Sequence, residues 1–205
     1  MRDSLLAALA NMEWLEFTGL TSGLLCVWLL IRQNIWTFPI GLVYSFVSVA
    51  VFMQQRLYAD VLLSGYYVVM NGYGWYYWLR GGVRSEADHL PVSHIGQRPL
   101  IAATSVTAVS TAAMGWFFAT QTDAALPYWD SFTTCASFCA MWMTARKYLE
   151  NWVVWLVVDI VASAIYLIKG IELYAVLYFV YLGMAVMGFL AWRQSMSTAP
   201  ISRSL

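Results

Sequence analysis

Apolar residues run along this chain in seven long stretches, near 14–31, 36–53, 60–79, 100–120, 128–145, 152–168 and 173–192, separated by short segments that hold most of its charge. Each has about the 17 to 25 residues that a helix needs to cross a bilayer. The pattern predicts an all-α integral membrane protein of seven transmembrane helices. Pro39 falls in the first turn of the second span, where a missing N–H costs little, and the other span interiors lack proline. Trp14, Trp36, Tyr58, Trp78, Tyr128, Trp152, Tyr174 and Trp192 mark span ends, as interfacial aromatic belts do. Residues 1–13 have apolar positions at helical spacing but are too few to cross, and are read as an interfacial segment.

Composition turns this pattern into a statement about solvent. Of 205 residues, 61% are hydrophobic and 11% charged, against roughly a quarter charged in soluble domains. Such a chain needs lipid as its partner. Net charge is zero, so no basic surface argues for nucleic acid, and no segment resembles a cleavable signal. Cys26, Cys135 and Cys139 all fall in apolar stretches and are read as small buried hydrophobes. The short connections on one side carry Arg2, Arg56 and Lys169. Those on the other carry Arg32, Arg80, Arg84, Arg98, Arg146, Lys147, Arg193 and Arg203. Basic residues are retained in the cytoplasm, so the C-terminus is expected inside and the N-terminus outside. His89 and His94 beside Asp88 in the long connection 80–99 imitate a metal site, but an exposed loop imposes no ligand geometry; no metal or cofactor is expected.

An internal repeat relates spans one to three to spans five to seven. NIWTFPIGLVY, RLYADVLLSGYY and GWYYWLR correspond to NWVVWLVVD, KGIELYAVLYF and GFLAWR. Asn34 to Leu57 is 23 residues and Asn151 to Leu173 is 22, which aligns the LYA triplets at 57–59 and 173–175. A three-span unit has odd parity, so a linker span between the units makes the repeats parallel. The expected organisation is 1–13 interfacial, 14–79 first repeat, 80–127 loop and linker helix, 128–192 second repeat and 193–205 cytoplasmic tail. Substrate sites of repeat-built transporters lie between the repeats near mid-membrane.

Ionisable and polar groups at that depth are the candidates for function. Trp152, Trp155, Asp159, Ser163 and Tyr166 share one face of span six, with Asp159 near its middle. Asp60, Ser64, Tyr67, Asn71, Trp75 and Trp78 line span three, and Asp130, Thr134 and Ser137 line span five. Each has a plainer reading. Trp and Tyr at span ends serve as belts, Ser and Thr bond their own helix or pack between helices, Asp60 and Asp130 sit near water, and Asp159 could simply lock two helices together. GLTSG at 19–23 has small-residue packing spacing, a common motif.

At WTFPIGLVYSF, RLYADVLL, YGWYYWLR and NWVVWLVVD the chain resembles the PnuC family of bacterial nicotinamide riboside transporters, over roughly residues 20–192. The resemblance implies a 3+1+3 fold related in architecture to SWEET sugar carriers, a homotrimer in the bacterial inner membrane, facilitated diffusion, and trapping of the riboside by a cytosolic kinase. It also implies a central pocket to which the helix with Trp152 and Trp155 contributes.

The residues suit such a ligand on their own account. A cationic aromatic ring asks for electron-rich faces, and Trp152, Trp155 and Trp75 offer them, a desolvated cation–π contact being worth about 2 kcal/mol. Asn71 or Asn151 could bond a carboxamide; Asp159, Tyr67, Thr134 and Ser137 complete the candidate set, with Asp159 balancing the charge or binding ribose. Span interiors hold no Lys or Arg for a buried phosphate. A retinal protein would need a lysine in the last span, and 173–192 has none. No span holds His, and HExxH, Gly-x-Ser-x-Gly and a phosphate-binding Gly-rich loop are all missing, which argues against an enzyme or an ATP-driven pump. The alternative is a SWEET-like carrier or channel for another small neutral solute, such as a sugar, vitamin or nucleoside. Aromatic richness argues against a sugar, which has no cation to reward it. The basic asymmetry predicts that a cysteine replacing Ser93 escapes impermeant thiol reagents applied to intact cells; labelling from outside would invert the topology.

Overall fold

The computed structural model describes residues 14–54, 58–80, 90–123, 125–170 and 172–198. The expected interfacial segment 1–13, Asp88 and His89, and the side chain of Asp60 lie outside the described residues. Seven helices are described: α1 Trp14–Ile31, α2 Thr37–Gln54, α3 Tyr58–Arg80, α4 Gln97–Gln121, α5 Pro127–Ala145, α6 Asn151–Ile168 and α7 Glu172–Thr198. The shortest has 18 residues, a rise of about 27 Å, close to the roughly 30 Å of hydrocarbon in a bilayer. Three stretches, Gln97–Gln121, Asn151–Ile168 and Tyr174–Ser197, are long and apolar enough to cross a membrane by length and composition alone.

Two helix ends differ from the sequence reading by three residues or more. α4 begins three residues earlier, because Pro99 lies within its first turn, where proline is tolerated, rather than before it. α7 runs on to Thr198 because its last turns dock instead of dissolving into a tail. The Ser195 hydroxyl accepts a bond from Gln33 Nε2 at 2.8 Å, and Met196 packs on the apolar core.

Six helices close into a ring through the contacts α1–α2, α2–α3, α3–α5, α5–α6, α6–α7 and α7–α1, whereas α4 packs on α5 alone. Polar groups stitch the ring between helices. Thr37 donates to the Cys26 carbonyl at 2.8 Å across α1 and α2, and the Tyr66 hydroxyl donates to the Phe138 carbonyl at 2.9 Å across α3 and α5. In α4, Ile101, Val106, Val109, Trp116 and Phe117 are exposed, the composition of a surface meant for lipid or another protein.

One end of the ring is sealed by aromatic rings. Trp192 meets Trp152 edge-on at 5.4 Å and Trp78 at 6.1 Å, and Phe38 meets Trp78 edge-on at 4.9 Å. Trp192 donates its indole N–H to the Leu30 carbonyl at 3.0 Å, tying α7 to α1. Gly188 makes this packing possible, since a Cβ there would stand 2.5 Å from the Trp152 ring. Residues 90–96 lie across the same end: Ser93 pairs with Tyr148 as an isolated parallel bridge, and Leu90 and Val92 pack on the aromatic cluster. Glu150 accepts bonds from His94 at 2.7 Å and the Ile95 N–H at 3.0 Å. Burial alone would raise the Glu150 carboxyl, but these bonds outweigh it and hold it below its ordinary value. The connections around residues 33, 90–96 and 147–150 and the end of α7 thus share one end. The opposite end is clipped by Lys169 on Asp130, at 3.0 and 3.1 Å.

Lys147 is the buried cation of the sealed end, 3% exposed and in the left-handed backbone region at φ 59°. Its ammonium donates to the Leu90 carbonyl at 2.6 Å and sits 4.5 Å from the centre of the Trp78 ring. Burial outweighs both contacts and lowers its pKa from 10.5 to about 8. Between those two values the folded protein binds fewer protons than the unfolded chain, so stability rises with pH across that window and is flat below it. Thermal unfolding followed from pH 7.5 to 10 should rise by up to about 3 kcal/mol from this group, and Lys147→Met should remove that rise. An identical pH profile in both proteins would refute it.

Candidate functional site

The face predicted on α6 turns into the ring. Trp152, Asp159 and Ser163 are buried, and Trp155 and Tyr166 are partly buried. Asp159, 5% exposed, and Lys147 are the buried charged residues among those described, and they lie on different structural levels, Lys147 at the sealed end and Asp159 midway along α6. An acid placed there cannot be solvated by hydrocarbon, so its surroundings must compensate. Tyr67 of α3 and Tyr178 and Tyr181 of α7 stand within electrostatic reach of its carboxylate. Tyr67 also faces the Ser137 hydroxyl of α5, and Tyr44 of α2 joins the group with its hydroxyl toward Ser48. Tyr178 stacks on Tyr166 at 5.3 Å and meets Tyr181 at 6.0 Å. Ser163, one turn from Asp159, is buried with no hydrogen-bond partner for its hydroxyl. An orphaned hydroxyl in a mid-membrane polar cluster points to a ligand or water.

Five helices therefore contribute to one centre: Tyr44, Tyr67, Ser137, Asp159, Ser163, Tyr178 and Tyr181. Trp155 lies one turn along α6 from Asp159, packs against the aromatic cluster of the sealed end and donates its indole N–H to the Thr144 hydroxyl at 3.2 Å. Tyrosine hydroxyls both donate and accept, a carboxylate accepts, and the rings present π-faces. Such a site can hold a cation together with hydroxyl groups.

The other candidates make their described contacts outside this cluster of side chains. Trp152 is 2% exposed and spends its ring faces on Trp192 and Gly188, so it builds the seal. Asn151 is fully buried, donating to the Tyr148 carbonyl at 2.6 Å, with its Oδ1 3.1 Å from the Thr144 hydroxyl. Asn71 donates to the Tyr67 carbonyl at 2.9 Å and to Ser45 at 3.5 Å, and presses on Gly41 where a Cβ would collide with it, so it fastens α2 to α3. Trp75 is 39% exposed, one residue round the helix from the packed Gly74. Thr134 returns its hydroxyl to the Asp130 carbonyl at 2.9 Å, and Asp130 pairs with Lys169 near the opposite end.

Sequence reasoning missed Tyr44, Tyr178 and Tyr181. A signal existed: Tyr174, Tyr178 and Tyr181 recur at helical spacing on α7. Without an ionisable neighbour on its own helix such a stripe does not stand out, and only the packed ring brings it near Asp159.

The family model described as "Nicotinamide mononucleotide transporter" matches residues 13–194. The nicotinamide riboside transporter PnuC of Escherichia coli (strain K12) is 28% identical over 209 aligned positions, covering 90% of this chain and 87% of that protein. The riboflavin/roseoflavin transporter RibM of Streptomyces davaonensis is 24% identical, covering 87% and 84%. The crystal structure of the vitamin B3 transporter PnuC superposes with a TM-score of 0.73 at 21% identity, covering 94% of this chain and 86% of that one, which shows a shared fold.

Proposed function

The chain belongs to the nicotinamide mononucleotide transporter family of membrane proteins, and on that premise we propose that it carries nicotinamide riboside across the bacterial inner membrane by facilitated diffusion. The observation that carries this choice of ligand is the buried Asp159 surrounded by Tyr67, Tyr178 and Tyr181, with the Trp155 indole one turn away. A pyridinium riboside presents a cation for the carboxylate, an aromatic ring for the indole and hydroxyls for Ser137, Ser163 and the tyrosines. The mononucleotide in the family description is disfavoured, because the described helices carry Lys or Arg only near their ends, at Arg80, Arg98 and Arg193. A phosphate dianion at the centre would have no cation to pair with. RibM, a relative named for a flavin, keeps riboflavin as the second ligand to test.

In this reading the transporter equilibrates the riboside and a cytosolic kinase traps it by adding a phosphate that the site rejects. The basic-residue asymmetry supports a cytoplasmic position for the sealed end. The ring supports parallel 3+1+3 repeats of the SWEET type: exchanging α1–α3 with α5–α7 turns the α3–α5 contact into the α7–α1 contact. The exposed apolar face of α4 supports a homotrimer in which that helix meets a neighbouring subunit or lipid.

Titration of the purified protein should give binding of nicotinamide riboside that exceeds that of its phosphorylated form and of riboflavin; a preference for either competitor would replace the ligand. Trp155→Leu keeps apolar area but removes the π-face, and should weaken riboside binding by on the order of 1–2 kcal/mol, roughly 5- to 30-fold, with phenylalanine costing less. Asp159→Asn should weaken binding while the protein stays folded. A lowered melting temperature with unaltered affinity would instead make Asp159 a helix lock.

In liposomes, the protein should equilibrate riboside without ATP or an ion gradient, and accumulate it only when a kinase is enclosed. Uphill uptake driven by protons or sodium with no kinase inside would overturn the diffusive mechanism.

A further inference from the structure

A buried hydrogen-bond chain runs behind Trp155. The Tyr148 carbonyl accepts from Asn151 Nδ2 at 2.6 Å, Asn151 Oδ1 lies 3.1 Å from the Thr144 hydroxyl, and that hydroxyl accepts the Trp155 indole N–H at 3.2 Å. Thr144 is 3% exposed and Asn151 fully buried, so water does not compete for these bonds. Thr144 also lies 2.9 Å from the Ala140 carbonyl, and its one proton serves that oxygen or Asn151. In either state its lone pairs face the indole. Tyr148 is itself held by the bridge to Ser93. The chain therefore ties the ring of Trp155 to the connection at the sealed end.

We propose that Thr144, supported by Asn151, is a positioning residue that sets the plane of the Trp155 indole and thereby the affinity for substrate, without touching substrate itself. This rests on the assignment of Trp155 to the substrate site. An indole pivots about two side-chain torsions, and packing alone permits several ring orientations; one acceptor fixed from the neighbouring helix selects among them. Threonine suits the task because it offers an acceptor to the indole while its proton is satisfied elsewhere. Valine would match its shape and leave a buried indole N–H with no acceptor.

The test is a double-mutant cycle on the purified full-length protein, reading nicotinamide riboside affinity by calorimetry and melting temperature on the same samples. Thr144→Val should weaken binding roughly 3- to 10-fold, the worth of one hydrogen bond, and Thr144→Ser, which keeps the hydroxyl, should bind within about 2-fold of the parent. In a Trp155→Phe background, which has no N–H to position, Thr144→Val should cost nothing further. The same loss in both backgrounds, or no loss in either, overturns the proposal, as does a lowered melting temperature with unchanged affinity. Should the valine variant fail to fold, Thr144→Ala completes the same cycle. Trp155→Leu separates the two levels of inference: unchanged affinity there removes the substrate-site assignment and this proposal with it, whereas a loss there beside a neutral Thr144→Val removes the positioning role alone.

Discussion

Hydrocarbon offers no hydrogen bonds, and most of this structure follows from that one constraint. A backbone that enters lipid must satisfy its own N–H and C=O groups, so the long apolar stretches become helices. Side chains obey the same rule. Ser22, Ser45, Ser131, Thr134 and Thr144 return their hydroxyls to carbonyls one turn earlier, and Asn71 and Asn151 find backbone oxygens near their own positions. Polar groups that cannot be satisfied along their own helix must turn inward and meet one another. Asp159 is the extreme case. Its helix can present it only to the interior of the ring, where tyrosines from α3 and α7 supply dipoles that lipid lacks.

The two ends of the ring are built by different physics. At one end, large rings interlock around Trp192 while residues 90–96 lie across them, held by the paired backbone of Ser93 and Tyr148 and by the bonds to Glu150. At the other, an ion pair between partly exposed side chains, Lys169 and Asp130, stands beside the stacked rings of Tyr166 and Tyr174. Exposed ion pairs contribute typically below about 1 kcal/mol, whereas a packed aromatic cluster with a buried indole hydrogen bond excludes water over a large area.

The polar centre and the aromatic seal share α6. Trp152 belongs to the seal, Asp159 to the centre, and Trp155 stands between them, bonded to Thr144. A single helix face therefore carries residues of both the centre and the seal, with the Asn151 and Thr144 side chains buried behind it.

The sequence by itself determined the solvent, the number of spans, the inward face of α6 and the family, because each depends on composition, on local period or on short motifs such as NWVVW and RLYAD. It also singled out Asp159, since a carboxylate in the middle of an apolar run has few tolerable surroundings. Only the tertiary structure decided the partners. Periodicity says which residues share a helix face, but not which other helix that face meets, nor whether a ring on it packs or lines a site. Trp152 and Trp155 are one turn apart on the same face; Gly188 and Trp192 of α7 draw the first into the seal, and Thr144 of α5 orients the second. Asn71 and Asn151 read as free amides until their buried partners are seen, and Tyr44, Tyr178 and Tyr181 stand out only when the ring closes and gathers them near the acid.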